Sequence, residues 1–347
     1  MKTGARQYQR KGLVLIGVLW TVVVLMVIVA VLGRTSRLDM RVTMARVDAV
    51  RGKWACRAGL EKAIAVLNED ETENDTLLDT WSDNAEDFND VMLEGCLLNI
   101  RVVDEASKLN INVITKDQLM GLPYMMEEIA DAIIDWRDTD DMPGEAGVEG
   151  GYYEGLEFGY RARNGPFQTI RELLLVKDVT DDLFYGEDTN FNGLLDYNER
   201  DGDETPPDDD GDDELDLGWI DYLTCYTPEE GTNAKVNINT APEAVLTALL
   251  GSDEEAERTA LEIINYREIA ENGIEAPSDL TDNGIVSDSV FSDIEEYITV
   301  TSDIFTVYCV AAADRNGTLG ARSQTEAVIN RTEKPYEVLF SYYRASN

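Results

Sequence analysis

The chain contains no histidine. That removes serine- and cysteine-based catalysis through an imidazole, together with the usual zinc ligand sets. Cysteine is scarce. Cys56, Cys96, Cys225 and Cys309 stand far apart, and no two form a C-x-x-C pair. A zinc ribbon or dithiol redox centre has little to stand on. The spacing fixes no disulfide pairing, and buried free thiols are the alternative. Basic residues are few, with 29 Lys and Arg against 69 Asp and Glu, for a formal net charge of −40 over 347 residues. Nucleic-acid binding depends on Lys and Arg neutralising phosphates, so this balance argues against a nucleic-acid partner. It favours divalent cations or basic partners instead. No nucleophile–base constellation appears, and carboxylate pairs in so acidic a chain arise by chance. Hydrophobic residues nevertheless make up 44% of the chain, too many for a disordered whole.

One long apolar run is present. A head carrying Lys2, Arg6, Arg10 and Lys11 ends at Gly12, and residues 13–33 follow without a charge. About 20 apolar residues in a helix cross a bilayer core. The positive head is expected on the cytoplasmic side, and everything after Arg34 outside the cytoplasm. No small-residue cleavage site follows the run. Helical spacing continues to about residue 67, through Val47, Val50 and Trp54 and then Leu60, Ile64 and Leu67. Residues 68–90 read as an acidic connecting loop. Residues 96–103 alternate as a strand does. Residues 297–312, 325–330 and 336–343 predict further antiparallel strands, with Asn316-Gly317 as a tight turn. A sheet that opens near residue 97 and resumes after residue 296 implies a large, mostly helical insertion.

The insertion repeats itself. Lys108-Leu109-Asn110-Ile111-Asn112 matches Lys235-Val236-Asn237-Ile238-Asn239, and Ile133-Ile134-Asp135-Trp136-Arg137-Asp138 matches Ile263-Ile264-Asn265-Tyr266-Arg267-Glu268. Asn164-Gly165-Pro166-Phe167 follows the first copy. This order resembles the helix-hairpin-helix module, with Asn or Thr as helix caps and Ile and aromatics as core. Modules of that kind bind DNA through a Gly-x-Gly hairpin helped by basic residues. Here the hairpins read Gly121-Leu122-Pro123-Tyr124-Met125 and Gly251-Ser252-Asp253-Glu254-Glu255, without the second glycine. The module is therefore expected as scaffold.

The sharpest chemical motif runs from Asp188 to Glu199 and fits D-x-[DN]-x-[DN]-G-x5-E. Calcium takes six to eight oxygens, and such a loop wraps them around one ion. Asp188, Asn190 and Asn192 would give side-chain oxygens. Gly193 would allow the turn, Leu194 would offer its carbonyl, Asp196 would bind directly or through water, and Glu199 would close the site with both oxygens. Asp201-Gly202-Asp203 leaves no room for the exiting helix of an EF-hand. A second group, Asp208, Asp210, Asp212 and Asp216, alternates like extracellular calcium loops, with a solvated acidic loop as the alternative. A third comprises Asp138, Asp140, Asp141 and Glu149. Without cations, self-repulsion is expected to keep residues 187–216 from ordering.

A basic head ending in Gly12 directly before an apolar helix resembles the leader of type IV pilins and type II secretion pseudopilins. Gly17 stands where most pilins carry a glutamate, and K-type minor pseudopilins of type II secretion also lack it. The stretch Arg57-Ala58-Gly59-Leu60-Glu61-Lys62-Ala63, the N-I-N and N-G-P-F region, and residues 298–307 are similar to the same K type. The resemblance implies an α+β, pilin-like fold. A long N-terminal transmembrane helix would pack on a small antiparallel sheet, interrupted by a large, mostly helical insertion. Its parts would be a leader (1–12), a transmembrane segment (13–33), an extended periplasmic helix (34–70) and a head (97–104 and 296–344). The insertion (105–295) would hold two helix-hairpin-helix-like units (105–180 and 233–290) and the acidic calcium loop (187–216). A prepilin peptidase would cut between Gly12 and Leu13. The protein would sit in the inner membrane as a single-pass protein with its C-terminal domain in the periplasm. It would join the I and J types at the tip of a pseudopilus and perform no catalysis. Two other readings are a membrane-anchored DNA receptor of the competence type and a calcium-dependent surface adhesin.

Overall fold

The computed structural model describes residues 10–70, 73–82, 84–188, 195, 199, 215–226, 234–315, 319–332 and 336–346. Helix α1 (Arg10–Glu69) runs for 60 residues with no proline to break it. At 1.5 Å per residue it is about 90 Å long. Among the described residues its N-terminal part is unburied, and Val14, Leu19, Leu25 and Leu32 are exposed. This segment is long and apolar enough to cross a membrane. The stripe of Val47, Val50 and Trp54 also faces outward, and Trp54 is 68% exposed. The core-facing side is a different one, formed by Ala55, Cys56, Leu60, Ala63 and Leu67.

A short helix α2 (Ala85–Phe88) leads into a hairpin of β1 (Val91–Leu93) and β2 (Cys96–Asp104). The chain then leaves the sheet. The excursion contains β3 (Leu109–Asn110), α3 (Lys116–Met120), α4 (Glu127–Arg137), α5 (Gly150–Glu154) and α6 (Asp181–Tyr185). It continues through α7 (Trp219–Tyr222), β4 (Leu223–Thr224), β5 (Val236–Asn237), α8 (Glu243–Leu250) and α9 (Glu254–Ile269). It closes with α10 (Asp279–Asp282), α11 (Asp288–Ile294) and β6 (Ile298–Thr299). The chain returns as β7 (Ile304–Asp314), β8 (Leu319–Asn330) and β9 (Glu337–Ser346). The five-stranded sheet has the order β1-β2-β7-β8-β9, antiparallel throughout. Strand β7, though distant in sequence, lies directly beside β2, with Ile100 opposite Cys309.

Alternation along β2 sends Leu98, Ile100 and Val102 to the face that receives α1, where Phe305, Val307, Cys309, Ala327 and Ile329 join them. The helix comes close because its contact side is small. A Cβ on Gly59 would lie 2.7 Å from Cys309 Sγ and 3.2 Å from a Leu98 methyl, and one on Gly52 would lie 2.3 Å from Ser323 Oγ. All four cysteines are free thiols. Cys56 Sγ donates to the carbonyls of Cys309 (3.4 Å) and Ser323 (3.3 Å).

Two local expectations are corrected. The stretch 297–312 is not one strand. Ile298 and Thr299 pair in parallel with β5 inside the excursion, and only from Ile304 does the chain join the main sheet. The break serves a buried polar node at Ser302. Strand β1, which had no clear alternation to betray it, extends the sheet by one edge strand.

That node is centred on Asp104, 3% exposed at the end of β2. Its carboxylate accepts from Ser302 Oγ (2.6 Å), Thr240 Oγ1 (2.5 Å), Asn237 Nδ2 (3.1 Å) and the Ala106 amide (2.7 Å). Asn237 also donates to the Asp75 carbonyl (3.0 Å), and Asp75 accepts from the Ser302 amide (2.6 Å). Arg331 pairs with Asp75 and, at 3.0 Å, with Asp70. Burial raises the Asp104 carboxyl above its ordinary range against these hydrogen bonds. It pushes Asp75 up from 3.8 to about 6, opposed by Arg331.

Two outcomes are expected. Gly59→Leu should cost about 1–3 kcal/mol in denaturant unfolding by overpacking the helix–sheet contact. Asp75 binds its proton more tightly when folded, so its contribution is full below pH 3.8 and is lost as pH rises through about 6. Unfolding free energies measured across that window should therefore fall less steeply with pH in Asp75→Asn than in the parent chain.

Candidate interface and cation sites

The two copies of the repeated motif have one geometry. In the first, the Asn110 side chain accepts from the Asn112 amide (2.9 Å), and in the second Asn237 accepts from Asn239 (3.0 Å). Asn112 clamps the backbone of Phe167, accepting at 2.7 Å and donating at 3.0 Å, while Asn239 clamps Ile274 at 2.8 and 2.9 Å. The arginine at the end of the second helix reaches back. Arg137 donates to the carbonyls of Ile111 and, at 2.6 Å, Ile114. Arg267 donates to Ile238 (2.9 Å) and Ala241 (2.7 Å). Each copy also pairs its short strand in parallel, β3 with β4 and β5 with β6. These side chains satisfy buried carbonyls and amides that would otherwise be orphaned. Their role is structural.

The hairpins are turned toward each other. A Cβ on Gly121 would lie 1.9 Å from Ser252 Oγ and 2.9 Å from Ala248 Cα. The Pro123 carbonyl accepts from Trp219 Nε1 at 2.9 Å. The turns that meet phosphate in DNA-binding modules thus line the seam between the two units.

Of the predicted ligands in the 188–199 motif, Asp188 and Glu199 are described, and both are buried, at 2% and 5% exposure. They are the first and last ligands of the motif. Asp188 lies 3.3 Å from Arg101 of β2, which also pairs with Asp221 at 3.1 Å. Asp216 is tied by its backbone to Glu187, whose amide donates to the Asp216 carbonyl (3.1 Å) and whose carboxylate accepts the Asp216 amide (3.1 Å). Asn190, Asn192, Leu194 and Asp196, with Asp208, Asp210 and Asp212, lie outside the described residues. Buried carboxylate oxygens at the two ends of the motif are the donors calcium takes.

Two further carboxylate groups come together among the described residues. Asp70, Asp75 and Asp79 form one, and Arg331 supplies counter-charge to Asp70 and Asp75. Asp135, Asp138 and Glu149 have oxygens within 4.8 Å of one another. Of the third acidic group read from the sequence, Asp138 and Glu149 are in this cluster. Asp140 and Asp141 instead hold the adjoining turn through Met142 (2.8 Å) and Asn164 (3.2 Å). Sequence reading passed over Asp135 because it sits inside the helical repeat, where Asn265 occupies the equivalent place. Burial, reinforced by four neighbouring aspartates, pushes Glu149 up to about 7.

Residues 104–185 match the family model described as type II secretion system, protein K. The likeness to the protein K family lies in this one segment of the chain. No curated protein matches. A solved chain from the GspK-GspI-GspJ complex of the enterotoxigenic Escherichia coli type 2 secretion system shares the fold, with TM-score 0.61 and 15% identity. The match covers 88% of this chain and 99% of that one. The fold is therefore the pilin-like α+β arrangement that the protein K resemblance implies. The matched segment begins at the last residue of β2 and ends with α6, so it takes in the first repeat.

Because the second Asn of each repeat serves both a donor and an acceptor, Asn239→Ala should leave the amide of Ile274 unsatisfied, while its carbonyl keeps Asn74 Nδ2 at 3.1 Å. The expected cost is about 1–3 kcal/mol for the orphaned amide, read from chemical unfolding. Asn239→Asp, which keeps the acceptor, should lose less.

Proposed function

We infer that this chain is a minor pseudopilin of type II secretion, with a structural rather than a catalytic role. The observation that carries this reading is the protein K segment at residues 104–185, spliced into a pilin-like head behind a free apolar helix. The excursion between β2 and β7 makes the head wide. A wide head stacks poorly inside a fibre, which favours the tip. The exposed stripe of Val47, Val50 and Trp54 offers a surface for the helices of neighbouring subunits. By analogy with the GspK-GspI-GspJ complex, the neighbours are the I- and J-type minor pseudopilins. There the chain would prime assembly of the fibre that moves folded proteins through the outer membrane.

The helix would anchor the protein in the inner membrane with the head in the periplasm. A prepilin peptidase would release residues 1–12, cutting between Gly12 and Leu13. Gly17 supports the tip position, because a tip subunit has no neighbour ahead for the usual glutamate to meet. Calcium held by Asp188, Asn190, Asn192, Leu194, Asp196 and Glu199 would order the acidic loop, with Asp208, Asp210, Asp212 and Asp216 as a second set. Its part is structural, since it would neutralise buried carboxylates. A DNA receptor finds no support in hairpins packed against each other in so acidic a chain, and nothing favours an adhesin.

Co-expression with a prepilin peptidase should yield a mature protein whose mass starts at Leu13; an uncut N-terminus would count against the pilin-like role. The matured chain should co-purify with I- and J-type minor pseudopilins, and Trp54→Asp should weaken that complex while leaving the melting temperature of the isolated head unchanged. Millimolar calcium should raise the melting temperature over chelator, in proportion to RT ln(1 + [L]/Kd). Asp188→Asn with Glu199→Gln should remove most of that gain.

A further inference from the structure

Resting on the membrane-anchored reading above, we propose that Arg34, Arg37 and Arg41 form a binding site for anionic phospholipid headgroups where α1 leaves the bilayer. Residues 13–33 make an apolar run about 31 Å long at 1.5 Å per residue, which matches a hydrocarbon core about 30 Å thick. Arg34 therefore stands at the edge of the core. The headgroup layer beyond it is roughly 5–7 Å deep. Arg37 lies about 4.5 Å further along the axis, inside that layer, and Arg41 about 10.5 Å further, just above it. Each Cα–Cβ bond of a helix tilts toward the helix N-terminus. Here that is the direction of the bilayer, so Arg41 leans back toward the layer that Arg37 occupies.

Spacings of three and four put the three arginines on one side of the helix. Asp39, the only acidic residue between Arg34 and Val47, falls on the opposite side. All three arginines are exposed, and none has an ion pair among the described residues. Further along, the basic side chains are engaged or out of reach. Arg57 pairs with Glu61 at 2.6 Å, and Lys53 lies over the Tyr343 ring at 5.5 Å. Arg46 and Arg51 are exposed as well, but stand about 18 and 25 Å beyond Arg34.

The charge distribution points to the same occupant. Residues 34–62 carry eight Lys and Arg against three Asp and Glu, in a chain that carries 29 against 69. An anionic surface repels the acidic head and attracts this stretch. Near such a surface each basic residue strengthens association by roughly fivefold. The planar guanidinium fork matches a phosphate with two parallel hydrogen bonds, and its apolar stem can lie along the chains below. At the depth of Arg34 and Arg37 the open sides of the helix face headgroups. Gripping them would fix how deep the span sits, because sliding α1 outward would pull three guanidinium groups off their phosphates.

The test uses the full chain in phosphatidylcholine vesicles doped with spin-labelled phosphatidylglycerol or spin-labelled phosphatidylcholine. Electron spin resonance reads the fraction of each label immobilised against the protein. The parent should hold phosphatidylglycerol several-fold more than phosphatidylcholine at about 0.1 M salt, and about 1 M salt should erase most of that preference. Arg34→Gln/Arg37→Gln/Arg41→Gln should lower it several-fold, to what Lys2, Arg6, Arg10 and Lys11 support on the other side, since those residues are the same in every variant. Arg37→Gln/Arg41→Gln should fall in between, which keeps the result readable if loss of Arg34 shifts the span. Arg46→Gln/Arg51→Gln should change nothing; an equal loss there would mean a diffuse charge effect and overturn the site. Free glycerol 3-phosphate at matched ionic strength should not compete, and competition would overturn the assignment to lipid. A chain that does not float with the vesicles would overturn the anchored reading and this site with it. One that floats without any preference for phosphatidylglycerol would overturn the site alone. A triple variant that keeps the preference but no longer co-purifies with I- and J-type minor pseudopilins would make the arginines a protein contact and overturn the proposal.

Discussion

The carboxylate of Asp104 is the point on which the architecture turns. It stands where β2 ends and the excursion begins, buried and surrounded by donors from three separate stretches. Ser302 comes from the returning segment, Thr240 and Asn237 from the second repeat, and Ala106 from the outgoing turn. Through Asn237 and Ser302 the same node reaches Asp75, and through Asp75 it reaches Arg331 beyond β8. A buried charge can stay only if hydrogen bonds replace its water. Every donor must therefore be in place before the carboxylate is tolerated, which couples the sheet to both halves of the excursion. The cost of leaving any donor out enforces one arrangement of segments that are otherwise joined only by long connections.

A second constraint acts on the helix. Gly52, Cys56, Gly59 and Ala63 lie on one side of α1, and small side chains there let its backbone approach the sheet. The opposite side keeps Val47, Val50 and Trp54 in the open. The helix is thus amphipathic in an unusual sense: both faces carry apolar residues, and residue size separates the intramolecular contact from the surface left for neighbours.

The duplicated units show a binding module turned inward. Their Asn and Arg side chains do identical work in both copies, satisfying backbone groups at the start of each unit. What the ancestral-looking hairpins could offer to phosphate is spent on the seam between the copies, where Gly121 meets Ser252. The pair widens the head between β2 and β7.

Much was legible in advance. The long helix follows from an uninterrupted apolar run and its continuation at helical spacing. The duplication is visible in the Asn-Ile-Asn and Ile-Ile-x-aromatic-Arg strings, and the calcium motif follows from oxygen donors at fixed offsets. These features are local or periodic, so residue order alone determines them. Other features depend on residues far apart in the chain. Spacing marked Val47, Val50 and Trp54 as a helix face but could not say that this face points away from the sheet. It could not break the strand at residues 300–303, because the break is imposed by Asp104 almost two hundred residues earlier. Nor could it select Asp135 from 69 acidic residues, since what distinguishes it is its burial beside Asp138 and Glu149. Sequence by itself determined the long helix and the repeat. Tertiary structure decided which faces are covered and which charges go uncompensated, because burial and counter-charge exist only once distant segments meet.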